Sequence, residues 1–268
     1  MPPARPLSLV TGASAGIGAT FARALAARGH DLVLTARRTG RLQALATELH
    51  STHDCTVTVL SADLADPAAP RMLCEDLERR GLAVDWLINN AGYGVPGSFV
   101  ANDWRTHADF LRVLLDAPIE LAWRLLPGMR ERGYGRIVNV ASLAGHVPGT
   151  AGHTLYAPAK AFLIKFSQGL ALESRERDVH VCALCPGFTW SEFHDVTGTR
   201  PLMNKMPGFM WQDAETVVVE GIAAVERGDA VHITGRVNRF IKSVFKLMPD
   251  RLAFRLSARQ GRRYRQAD

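Results

Sequence analysis

Short apolar runs alternate with longer amphipathic or alanine-rich stretches along most of the chain. Residues 7–10, 31–35, 56–60, 84–88, 136–141, 179–185 and 230–233 read as strands, several of them near-continuously apolar, as strands covered on both faces are. Between them, helical patterns run from the glycines after residue 11 to about residue 28, and over 39–50, 67–80, 103–131 and 213–226. Pro118 and Pro127 are expected to kink or break the fourth of these. A further helix is expected from Thr154 to about residue 175, and residues 188–212 look irregular. Strictly alternating strands and helices imply an α/β, doubly wound parallel sheet with helices on both faces.

Residues 1–235 hold this pattern and read as one catalytic domain, with 236–268 as a tail. A hydrophobic content of 47% can fill a core of that size, and no run is apolar and long enough to cross a membrane. The first residues show no apolar signal region, so a cytoplasmic protein is the default expectation. The net charge of +6 is concentrated in the tail, where ten Lys/Arg stand against two acids; the remainder has 22 Lys/Arg and 24 Asp/Glu. Cys182 and Cys185 have the spacing of a redox or zinc pair, but within a strand residues three apart point to opposite faces. No second Cys/His pair accompanies them, so they read as core and no metal is expected.

Candidate chemistry collects at the C-terminal ends of the expected strands, where open α/β sheets bind ligands. The first strand runs into Gly12, Ser14, Gly16, Ile17 and Gly18 and then a helix. Glycines in that setting let backbone approach a pyrophosphate beside free N–H groups. The second strand ends at Arg37 and Arg38, where an acid would favour the free ribose hydroxyl of NAD and an arginine suits the 2′-phosphate of NADP. The fifth strand delivers Ser142, and Tyr156 and Lys160 lie four apart on one helical face. Pro158 between them is compatible with a helix that starts near Thr154, with Thr154 as its cap. An ammonium beside a phenol lowers its pKa from about 10, so Tyr156 could exchange a proton with an alcohol or carbonyl oxygen near neutrality.

Taken with Asp63-Leu64, Asn89-Asn90-Ala91-Gly92 and Pro186-Gly187, these motifs occur in an order that resembles the short-chain dehydrogenase/reductase family over about residues 7–235. The resemblance implies a seven-stranded Rossmann sheet and an NADP(H)-dependent oxidoreductase acting between a carbonyl and a secondary alcohol. By it, Gly12, Ser14, Gly16, Ile17 and Gly18 cradle the pyrophosphate and Arg37 takes the 2′-phosphate. Asp63 and Leu64 flank the adenine, and Asn90, Ala91 and Gly92 line the passage to the ribose. Pro186, Gly187 and Thr189 close over the nicotinamide. Tyr156 is the general acid/base, Ser142 orients the substrate oxygen, and Lys160 binds the nicotinamide ribose and lowers the pKa of Tyr156. One departure stands out: Leu114 occupies the position of an asparagine that anchors a water in the family's proton relay. Asp116 is nearby but faces about 200° away round a regular helix.

Phe188, Trp190, Phe193, Leu202, Met203, Met206, Phe209, Met210 and Trp211 fall in the segment that forms the substrate lid of such enzymes, which suggests a bulky hydrophobic substrate. In the tail, Phe240, Ile241, Val244, Phe245, Leu247 and Met248 interleave with Arg239, Lys242 and Lys246, and a second such stretch follows Pro249. This reads as a basic amphipathic helix pair, for which contact with an anionic membrane surface, packing on the body and packing in a homo-oligomer all stay open. Nucleic-acid binding is not expected, because no recognition motif accompanies the charge. A non-catalytic NADP-binding sensor or scaffold and a peripheral membrane protein acting through its tail are the alternatives. The intact Ser142, Tyr156 and Lys160 favour the enzyme.

Overall fold

The computed structural model describes residue 3, residues 5–192 and residues 207–261. Seven parallel strands form the central sheet: β1 Leu7–Thr11, β2 Asp31–Thr35, β3 Val57–Val59, β4 Trp86–Asn89, β5 Gly135–Val140, β6 Val179–Cys185 and, last in the chain, β9 Val231–Ile233. Their order is β3-β2-β1-β4-β5-β6-β9. The chain thus winds outward one way from β1 and then the other way from β4, leaving a crevice beyond the C-terminal ends of these two strands. Two short strands, β7 Phe188–Thr189 and β8 Trp211–Gln212, pair in a separate sheet inside the segment expected to be irregular.

Side chains alternate across each strand and so feed two apolar layers. Helices α1 Gly16–Ala26, α2 Thr39–Thr52 and α7 Ala214–Glu226 cover one face, where Phe21, Leu25, Leu42 and Val217 pack on Val10, Leu34 and Val138. Helices α3 Ala69–Arg79, α4 Trp104–Leu111 and α5 Ala117–Arg132 cover the other, with Leu73, Phe110 and Leu121 against Leu9, Leu87 and Ile137. Helix α6 Tyr156–Ser174 joins this second layer through Ala159. Local chemistry sets several helix ends. Asp103 and Asp213 cap α4 and α7 by accepting from the amides of Thr106 and Thr216, and Gly133 ends α5 at φ 63°. The four cysteines are free thiols, with Cys182 and Cys185 buried in different apolar clusters.

The expected 103–131 helix is three pieces. Between α4 and α5 lies one π-helical turn, Arg112–Asp116. There the amide of Ala117 bonds to the carbonyl of Arg112, five residues back. Pro118, the second residue of α5, has no amide hydrogen and cannot bond to the carbonyl of Leu114 four residues earlier. The wide turn and the proline therefore fall together. Pro127 breaks nothing: α5 runs through it to Arg132.

The tail forms two helices, α8 Arg236–Leu247 and α9 Asp250–Gly261, with Pro249 between them as expected. Asn238 of α8 is buried, and its amide donates to Gln212 Oε1 at 3.0 Å and to the Thr234 carbonyl at 2.9 Å. Among the described residues no helix is long and apolar enough to cross a membrane.

Candidate active site

A cleft of about 1340 Å³ opens over the C-terminal ends of the strands. Its wall includes Gly12, Ser14, Gly16, Ile17, Arg37, Asp63, Leu64, Asn90, Ala91, Gly92, Ser142, Tyr156, Lys160, Pro186, Gly187 and Thr189. Of the residues expected to contact a cofactor, Gly18 alone lies off this wall. Its role is to let α1 approach the turn: a Cβ there would collide with the carbonyl oxygen of Gly12 and the side chain of Asn90. Gly12 and Gly16 adopt φ +66° and +53°, a region other residues enter with strain. A Cβ on Gly12 would stand 2.9 Å from the Ala91 backbone. Asn90 fastens this turn, donating from Nδ2 to the Thr11 carbonyl at 3.0 Å. The outcome is a bare backbone floor at the N-terminus of α1, whose first turn holds no acidic residue. That floor fits a pyrophosphate.

At the end of β2, Arg37 is exposed on the cleft wall, and among the described residues its guanidinium makes no hydrogen bond or ion pair. Its charge faces a cleft that could take an anion. Arg38 is engaged: it donates to Ser14 Oγ at 3.0 and 3.1 Å and to Glu192 Oε2 at 3.1 Å. These residues fit an adenosine moiety that carries a phosphate on its ribose.

Ser142 and Tyr156 meet across the cleft floor. Ser142 follows β5 directly, and its Oγ accepts from the Ala144 amide at 3.1 Å and donates to the Pro186 carbonyl at 3.5 Å. Its hydroxyl also bonds to that of Tyr156. Tyr156 is partly open to the cleft, yet protein crowds its hydroxyl closely. Burial pushes that hydroxyl up to about 12, and the bond to Ser142 opposes the shift. Lys160 is buried one turn further on, where burial pulls its ammonium down to about 8. Its Nζ donates to the Val140 carbonyl at 2.7 Å and lies 5.7 Å from the centre of the Tyr156 ring.

Two expectations are corrected here. Lys160 does not lower the pKa of Tyr156 in this arrangement: burial raises the hydroxyl, the bond to Ser142 is what opposes the rise, and the Lys160 ammonium is turned toward Val140. Thr154 does not cap α6: the helix begins at Tyr156, with Leu155 at the cap position and no side-chain cap. Pro158 is the third residue of the helix, inside the first turn, where its missing N–H costs nothing.

Leu114 sits in the π-helical turn, 1% exposed, among the apolar residues of the second layer. A Cβ on Gly92 would lie 3.7 Å from its Cδ1. Its side chain is thus a packing element beneath the cleft, and no asparagine stands in that turn.

On the substrate side the wall is mainly apolar: Leu143, Val147, Pro148, Phe188 and Met210, joined by Ile241 and Phe245 from α8. His153, Asn238 and Ser257 add polar groups. Trp190 stacks on Trp211 with ring centres 3.9 Å apart, next to Phe188. Phe193, Leu202, Met203 and Met206 of the expected lid lie outside the described residues. The tail residues and Glu192 were not anticipated in the wall, since no local motif points to them.

A family model described as short chain dehydrogenase matches residues 7–200. The chain belongs to the short-chain dehydrogenase family. It is accordingly an oxidoreductase. The chain is 34% identical over 234 residues to nodulation protein G of Rhizobium sp. (strain N33), covering 85% of this chain and 92% of that protein. It is similar in structure to a short-chain dehydrogenase from Sphingobium yanoikuyae in complex with NADPH, with a TM-score of 0.80, 32% identity and coverage of 91% of this chain and 96% of that one. It is also similar to the bulky-bulky ketone specific alcohol dehydrogenase from Comamonas testosteroni, with a TM-score of 0.74, 30% identity and coverage of 91% and 95%.

Proposed function

We propose that this dehydrogenase uses NADP(H) to interconvert a bulky hydrophobic ketone and its secondary alcohol. The observation that carries the reading is one continuous cleft. It joins the bare glycine floor and the exposed Arg37 to the Ser142–Tyr156 pair and an apolar far wall. The NADPH bound to the Sphingobium relative and the ketone named for the Comamonas relative support it by analogy.

NADP(H), when bound, supplies or accepts the hydride at the substrate carbon. The chain handles the oxygen. In reduction the neutral Tyr156 hydroxyl donates its proton as negative charge grows there. A hydroxyl held near 12 keeps that proton throughout the neutral range, so it is always loaded as an acid. Ser142 hydrogen-bonds the same oxygen and holds it against Tyr156. Lys160, charged below about pH 8, donates to the Val140 carbonyl and so holds α6, and with it Tyr156, against the strand that carries Ser142. Leu143, Val147 and Phe245 exclude water from one side.

The chemistry belongs to residues 1–235, and the tail completes the mouth of the cleft through Ile241 and Phe245. The other face of the tail leaves Phe240, Leu247 and Phe254 exposed among basic residues. That face suits a second copy of the chain or an anionic membrane surface.

The test is equilibrium binding of NADPH and NADH, followed by a panel of small and bulky ketones monitored at the NADPH absorbance band. The reading expects tighter NADPH binding and highest kcat/KM for ketones bulky on both sides. Equal affinity for both cofactors, or turnover restricted to small polar carbonyls, would refute it.

A further inference from the structure

Three arginines cluster beside the second strand: Arg37 and Arg38 follow β2, and Arg41 lies in the first turn of α2. Two of them are already occupied by one carboxylate. Glu192 accepts from Arg41 NH1 at 2.6 and 2.8 Å and from Arg38 NH1 at 3.1 Å. This contact joins residues 154 and 151 positions apart in the sequence. It brings the stretch after β7 over the glycine turn, where an added Cβ on Gly16 would meet Ser191 Cβ at 3.1 Å. Arg41, then Arg38, hold the Glu192 carboxyl below its usual range, so it is an anion at neutral pH. Glu192 lines the cleft beside Ser14, Arg37 and Arg38.

We propose that Glu192 stands in for the cofactor's 2′-phosphate and sets the selectivity between phosphorylated and unphosphorylated cofactors. This rests on the NADP(H) reading above. A 2′-phosphate reaching Arg37 enters a site where Arg38 and Arg41 are already neutralised by a carboxylate. Phosphate is the stronger acceptor for guanidinium, being a dianion with three oxygens, so it takes Arg38 from Glu192. Arg38 needs little rearrangement, because its Nε and NH2 stay on Ser14 while NH1 changes partner. A cofactor without the phosphate leaves the Glu192 contacts intact. Glu192 therefore lowers affinity for the phosphorylated cofactor alone, which makes it a negative specificity determinant opposed to Arg37.

The test is calorimetric titration with adenosine 2′,5′-bisphosphate and with 5′-AMP, on wild-type, Glu192→Gln and Arg37→Ala proteins. Removing one negative charge about 4 Å from a dianion in a water-like dielectric predicts about thirtyfold tighter binding of the bisphosphate by Glu192→Gln. Binding of 5′-AMP should not change, and the gain should shrink as salt is raised. Unchanged or weaker bisphosphate binding by Glu192→Gln would overturn the inference, while a large loss in Arg37→Ala would leave the NADP(H) reading standing. Wild-type protein that binds the bisphosphate no better than 5′-AMP would overturn that reading and this inference with it.

Discussion

The Lys160 ammonium is tied to the Val140 carbonyl at 2.7 Å, at the end of the same strand that delivers Ser142. The bond anchors α6 to β5 and fixes the distance between the serine and the tyrosine.

Burial of Lys160 gives the first prediction. Its ammonium loses the proton as pH rises through about 8, so its charge is present below that value and absent above it. Because the charged form makes the stronger bond to the Val140 carbonyl that holds Tyr156 against Ser142, kcat for reduction should hold through the neutral range and fall on the alkaline side of about 8. Initial rates from about pH 6 to about pH 10 at saturating cofactor check this; a flat profile to the upper limit would contradict it.

Arg37→Ala should weaken NADPH binding by about 1.5–3 kcal/mol, the range for a hydrogen bond to a charged group, and leave NADH nearly unchanged. The reason is that Arg37 alone of the three arginines is unpartnered among the described residues. Calorimetry with both cofactors is the measurement. Equal losses for the two would mean that the residue supports the fold of the site and not the phosphate.

Leu114→Asn should destabilise the protein by about 1–3 kcal/mol, because it buries an amide in the apolar cluster that holds Phe110, Val113 and Leu121. Denaturant unfolding would register this as a lower midpoint with an unchanged slope. A variant as stable as wild type and faster in turnover would show that an asparagine-held water is missing from the native enzyme.

Truncation after residue 235 should lower both stability and turnover. It removes Asn238, whose amide satisfies Gln212 and Thr234, together with two apolar residues of the cleft wall. Thermal unfolding and kcat/KM on a bulky ketone test this. A truncated protein with wild-type Tm and activity would leave the tail with assembly or surface roles only. Sedimentation with anionic vesicles at low and high salt, beside size measurements of both proteins, separates those two.

What the sequence discloses follows the range of the forces involved. The glycine turn, Ser142 and the Tyr156–Lys160 spacing are local patterns at strand ends, so they were legible, as were the seven strands that position them. The direction of the Lys160 side chain was not, because spacing on a helix says nothing about a carbonyl on a neighbouring strand. The resemblance singles out Arg37 over Arg38; what no sequence pattern encodes is that the fold brings Glu192 and Ser14 to Arg38. The tail was read correctly as two helices about Pro249. Its place over the cleft depended on Asn238 reaching Gln212 and the strand-end Thr234, a contact no periodicity encodes.

The central claim is that Tyr156 is the proton donor in an NADPH-dependent ketone reduction, and the most direct measurement is NADPH consumption by wild type and Tyr156→Phe on the same bulky ketone. The substitution keeps the ring and removes the proton. The account predicts a loss of kcat of at least about 10²-fold, with NADPH affinity by calorimetry close to wild type. A variant that retains most of its turnover would contradict it and assign the proton to another residue.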